Sequence, residues 1–131
     1  MEFIYLQPGN VPKPAGDYSQ GVKVKGGNLV VISGQVAWDV QGNLVGRGDI
    51  RAQTRQVFEN LKNMLASAGA TFQDVVKLGV FLKNLEDFTP FREIRAQYLK
   101  PPFPPTTLLV VKSLAREEWL LEVEAMAVVD R

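Results

Sequence analysis

Apolar residues recur along this 131-residue chain with two different periods, and the change of period marks its elements. Three short runs are apolar at both parities: Leu29-Val30-Val31-Ile32, Leu78-Gly79-Val80-Phe81-Leu82 and Leu108-Leu109-Val110-Val111. They read as strands that need cover on both faces. Between the first two, Ile50, Thr54, Val57, Phe58, Leu61, Met64, Leu65 and Ala68 recur at three- and four-residue spacing. That is one face of an amphipathic helix, with Asp49 as N-cap and Gly69 as stop, and with Arg51, Arg55, Glu59 and Lys62 on the other side. A second helix is expected after Asn84, with Pro90 in its first turns and Phe88, Phe91, Ile94, Tyr98 and Leu99 as packing positions.

The remaining pattern is strand and turn. Phe3 to Leu6 reads as a short edge strand. Val22 to Lys25 and Leu29 to Val36 read as a hairpin joined at Gly26-Gly27-Asn28, and Asp39 to Asn43 as a further turn. Val75 to Leu82, Thr107 to Val111 and Trp119 to Val129 complete the strands, with Ser113 to Glu118 turning between the last two. The expectation is one α+β domain spanning residues 1–131: a single mixed sheet with two helices packed on one face. Two helices cover only one face of such a sheet. The other is expected to be buried most simply by the same face of another copy, with flanking loops as the alternative cover.

Composition narrows the chemistry. Net charge is +1, so no strong field draws nucleic acid or an anionic membrane. The chain has no cysteine and no histidine, which removes disulfides, thiolate nucleophiles, imidazole metal sites and Ser-His-Asp catalysis. No metal and no cofactor is expected. The first residues lack a basic, apolar leader pattern, and no run reaches the roughly 20 apolar residues that span a bilayer. A cytoplasmic protein with no membrane partner is the expectation.

Lys100-Pro101-Pro102-Phe103-Pro104-Pro105 places four prolines before Thr106-Thr107, a stiff arm that carries two hydroxyls to the mouth of an apolar strand. With this arm, four other segments show a resemblance. They are Gly16-Asp17-Tyr18-Ser19-Gln20-Gly21, Ile32-Ser33-Gly34-Gln35-Val36, Val75-Val76-Lys77 through Phe88, and Leu121-Glu122-Val123-Glu124-Ala125-Met126-Ala127-Val128. In this order the chain resembles the Rid family (reactive intermediate deaminases, YjgF-like) from about Gly16 to Val129. The resemblance implies a chorismate-mutase-like fold, a homotrimer whose sheets close into a central barrel, and ligand clefts between subunits.

It also implies roles, residue by residue. Tyr18 would wall the cleft and offer a hydroxyl. Ser33 and Gly34 would form a strand end that lets a ligand approach the backbone, although a β-bulge explains them equally. Glu122 would handle the catalytic water, with an intersubunit ion pair as its other reading. Thr106 stands where the family usually carries the arginine that grips a substrate carboxylate, with Thr107 beside it. Arg92 is the candidate compensating cation unless it is a solvated helix-face arginine, and Arg95 is read as still more exposed. The implied function is hydrolysis of reactive imine or enamine metabolites, on a substrate other than 2-imino acids or weakly on those. The alternative is a trimer that binds a small molecule without turnover.

Overall fold

A computed structural model describes residues 1–130. Its strands are β1 (Glu2–Leu6), β2 (Gly21–Lys25), β3 (Asn28–Gln35), β4 (Val75–Leu82), β5 (Thr106–Val110) and β6 (Leu121–Val129), with helices α1 (Ile50–Ser67) and α2 (Phe88–Arg95). The main sheet runs β3-β6-β4-β5. It is antiparallel except between β4 and β5, so it is mixed. β1 and β2 form a separate two-stranded ribbon.

Local chemistry sets the boundaries. The Asp49 carboxylate accepts from Ala52 N at 3.1 Å and caps α1, which ends before Gly69 at φ +73°. Asn84 heads a short 3-10 turn (Leu85–Asp87) that leads into α2, but its side chain makes no capping bond. Pro90 sits in the first turn of α2, where a missing N–H costs nothing.

The expected hairpin of β2 and β3 is a correction. Gly26 and Gly27 do turn sharply, at φ +76° and +82°. However, β2 ladders with β1 and β3 with β6. The corner is packed against the end of β6: a Cβ at Gly27 would lie 2.5 Å from Val128 Cγ1 and 3.1 Å from the Val129 carbonyl. The chain thus bends around that strand end instead of folding β2 back onto β3.

α1 and α2 cover one face of the sheet. Val57, Phe58, Leu61, Leu65 and Phe91 meet Leu78, Val80 and Leu82 of β4 and Leu121, Val123 and Ala125 of β6, all buried. Full burial of each large side chain contributes about 1.5–3 kcal/mol. The opposite face is bare in the single chain. Leu29 and Val31 are each 64% exposed, Met126 lies open beside Val31, and Leu109 is exposed on β5 at the other edge. Met64, expected on the packed face of α1, is exposed, and the polar Gln53 is fully buried there.

Gln53 earns that position by closing three backbone groups. Its Nε2 donates to Gly46 O (3.1 Å) and Glu118 O (3.0 Å), and its Oε1 accepts from Leu120 N (2.9 Å). It ties the turn before α1 to the segment that leads into β6. Gln53→Ala leaves those groups unpaired and opens a cavity, and should destabilise the fold by about 2–4 kcal/mol. Urea unfolding at fixed protein concentration measures this as a lower midpoint at unchanged slope.

Candidate functional site

The four prolines of the arm lack donors, but the arm's carbonyls do the positioning. Ser19 donates through Oγ to Phe103 O and through N to Pro104 O, and Leu78 N donates to Pro105 O at 2.9 Å. Ser19 and Pro105 thus form an isolated parallel bridge, which sets Tyr18 beside Thr106. Together with α2 they enclose a cavity of about 280 Å3. Tyr18, Arg92 and Thr106 all line it, with Phe88 and Leu108 as apolar wall.

The polar groups in this cavity have defined states. Tyr18 Oη accepts from Ala15 N at 3.2 Å, so its own proton remains for a ligand. Thr106 Oγ1 donates to Pro104 O at 3.0 Å, which leaves only lone pairs to offer. Arg92 is exposed on α2, with its guanidinium 5.3 Å from the centroid of the Phe88 ring. Arg95, read from sequence as a surface residue, is a correction. It is only 4% exposed and lines the same cavity. Arg95 stands four residues after Phe91 and next to Ile94, so it falls at the edge of their packed face, whereas Arg92 lies outside it.

Gly34 and Glu122 lie elsewhere. They line a second, more open cavity of about 680 Å3, with Trp38, Trp119 and Asn60. β3 carries a register shift between Ile32 and Gln35, so the bulge reading of Ser33-Gly34 holds as geometry. Gly34 is needed for close approach: a Cβ there would overlap the Glu122 carboxylate. Glu124 lies likewise across Gly79 of β4, with its Cγ 2.8 Å from where a Cβ would sit. Ser33 itself is exposed, and its carbonyl accepts from Gln35 Nε2 at 3.0 Å. Thr107 is also exposed and accepts from Lys77 Nζ at 2.8 Å, away from Thr106.

Strand alternation explains the separation. Thr106 and Leu108 share the helix-side face with Leu78 and Val80, their register partners. Glu122, Glu124 and Met126 alternate with the buried Leu121, Val123 and Ala125, so they face the bare side. In the single chain Thr106 and Glu122 therefore line separate cavities.

Sequence reasoning missed the aromatic floor of the second cavity. Trp38 and Trp119 meet edge to face at 5.2 Å between centroids, and the Arg116 guanidinium lies 5.3 and 5.9 Å from them. Asn60 fixes the loop beneath, donating to Val36 O (3.1 Å) and Trp38 O (2.9 Å). An asparagine one position before Leu61 of the packed stripe was the available signal.

Glu122 is half-buried, and neither it nor Glu124 takes part in an ion pair among the described residues. Burial, then the neighbouring Glu124 charge, push the Glu122 carboxyl above its ordinary 4.5. The shift is upward, the direction that makes a carboxyl a better proton holder for acid–base work. Among the described residues no cluster of acidic side chains could hold a metal ion, and no helix is long and apolar enough to cross a membrane.

The sequence profile of the family described as endoribonuclease L-PSP matches residues 8–129. A RutC family protein of Pyrococcus horikoshii is 41% identical over 126 residues, covering 96% of each chain. A 2-iminobutanoate/2-iminopropanoate deaminase of Dermatophagoides farinae is 34% identical over 119 residues, 91% of each. Among solved structures, the Rid family protein YyfB of Yersinia pestis superimposes with a TM-score of 0.86 at 36% identity, over 98% of this chain and 100% of that one.

Carboxyl-resolved NMR titration should place the Glu122 pKa above 4.5, and Glu124→Gln should lower it. The folded chain holds this proton more tightly than the unfolded one. Glu122 therefore makes stability fall as pH rises from 4.5 through the raised value, a slope that Glu122→Gln removes.

Proposed function

The chain belongs to the endoribonuclease L-PSP family, which includes the RutC and Rid proteins, and from that premise we propose that it is a cofactor-independent imine or enamine hydrolase working at clefts between the copies of a homotrimer. A deaminase among its relatives supports imine deamination at the level of the family. One observation carries the reading to this chain: Thr106 and Glu122 face opposite sides of one sheet, so a pocket holding both is most simply completed by a second copy. The bare apolar face gives copies a reason to associate.

The chemistry asks little of the protein. An enamine tautomerises to its imine, and water adds to the imine carbon as the C=N π pair moves to nitrogen. Ammonia then leaves as the C=O bond forms. Glu122 accepts a proton from the attacking water and returns one to the departing nitrogen. Tyr18 supplies a free O–H donor and the backbone at Gly34 a close wall. The absence of histidine argues against the acid/base pair that RNA cleavage would use.

Thr106 offers no charge, and its proton is engaged by Pro104 O. That favours a substrate differing from 2-imino acids, or weaker turnover of them, unless a cation comes from elsewhere. It also favours the second reading, a trimer that binds a neutral small molecule without turnover.

The two readings separate in one assay. Added to an amino-acid dehydratase that releases enamine, the protein should speed keto-acid appearance. Glu122→Gln should cut that gain by roughly 100-fold or more, the usual scale of a general acid–base group. No acceleration over buffer removes the hydrolase and leaves the binding trimer.

A further inference from the structure

Arg95 is a buried charged side chain that forms no ion pair among the described residues, although the Asp17 carboxylate shares its cavity. It is 4% exposed, its guanidinium stands 5.5 Å from the centroid of the Phe91 ring, and its Nε has no hydrogen-bond partner. None of the ion pairs among the described residues includes it. Burial pulls its pKa down, Asp17 raises it and Arg92 lowers it, yet a guanidinium stays protonated in proteins. A buried charge with an unbonded donor and no ion pair is costly, and a partner that bonds it lowers that cost. The ring contact with Phe91 offsets only part of that cost.

Arg95 opens onto the cavity that Thr106 lines, from helix α2 instead of from the strand mouth. The charged groups of that cavity are Arg92, Arg95 and Asp17: two cations against one anion, leaving one net positive charge. The Tyr18 hydroxyl has a proton to donate, and Phe88 and Leu108 are apolar. About 280 Å3 is at the small end for a ligand pocket.

We propose that Arg95, with Arg92 at the rim, is the anion-gripping group of this cavity, and that the cavity takes a small monocarboxylate whose short apolar chain lies on Phe88 and Leu108. The proposal rests on the reading of the Tyr18–Thr106 cavity as the ligand half-site. Thr106 brings no charge, so the positive charge of the cavity comes from α2. One net charge matches a monoanion, and the apolar wall selects an organic acid over an inorganic anion. Arg95 acts here as a binding residue and moves no proton.

The test uses butanoate as probe and butanamide as its neutral isostere, titrated calorimetrically into the full-length protein. In parallel, arginine Nε–H resonances are followed by NMR, that of Arg95 being assigned by its loss in Arg95→Lys. Saturable butanoate binding, much weaker butanamide binding and a shifted Arg95 resonance are expected. Arg95→Met should weaken butanoate by roughly 10- to 150-fold, the value of a charge-assisted pair. Arg95→Lys should lose less, and Thr106→Arg should restore binding in the Arg95→Met background.

Butanamide binding as tightly as butanoate, an unmoved Arg95 resonance, or equal butanoate affinity in Arg95→Met each overturns the proposal. So does an Arg95 that pairs with a neighbouring copy, seen as loss of the oligomer in Arg95→Met with no butanoate response in the wild type. If Arg95→Met does not fold, the wild-type resonance and the butanamide comparison still decide. Failure here together with dehydratase-coupled turnover would sink Arg95 alone. Failure of that turnover with butanoate bound would sink the hydrolase and leave Arg95 standing.

Discussion

A sheet flanked by helices on one side has a second side, and here that side is greasy. β6 carries the constraint because it runs between β3 and β4 with every odd position buried under the helices and Glu122, Glu124 and Met126 turned outward. Leu29 and Val31 are exposed on the adjoining strand β3, and Leu109 on the edge strand β5. Apolar area of this kind is stabilised by leaving water, and the chain's own helices are already used on the other face. Two carboxylates sit within it, each lying across a glycine of a neighbouring strand. Gly34 and Gly79 make room for charges that a packed sheet face would otherwise exclude.

The same alternation divides the chemistry. The proline arm accepts hydrogen bonds where it cannot donate them, so the leading loop is stitched to β5 and Tyr18 reaches Thr106. The cation of that half-site comes from α2. Three residues of helix carry Arg95 from the rim position of Arg92 to a buried one, enough to change a solvated charge into one that calls for a partner. Glu122, the carboxyl proposed to handle water, belongs to the opposite face, where burial and Glu124 keep its proton tight.

Much of this was legible in the chain. The α1 boundaries, the extent of β4 and the inward face of β6 follow from spacing, because burial enforces strict periodicity there. The β2–β3 hairpin was misread because a glycine turn fixes direction but not ladder partners. Gln53 and Arg95 were overlooked for one reason: polarity was taken as exposure. Gln53 stands three residues after Ile50 and four before Val57, and Arg95 four after Phe91, so both occupy inward positions by spacing alone. Which cavity each site residue lines was not legible, since that depends on contacts between segments far apart in sequence, such as Ser19 with Phe103.

The account stands on copies of one chain covering each other's bare sheet face. Sedimentation velocity at micromolar concentration addresses this directly. The predicted result is a particle of three times the 14.5 kDa chain mass, which Val31→Glu shifts toward the single chain. A wild-type protein that sediments as a lone 14.5 kDa particle would contradict it.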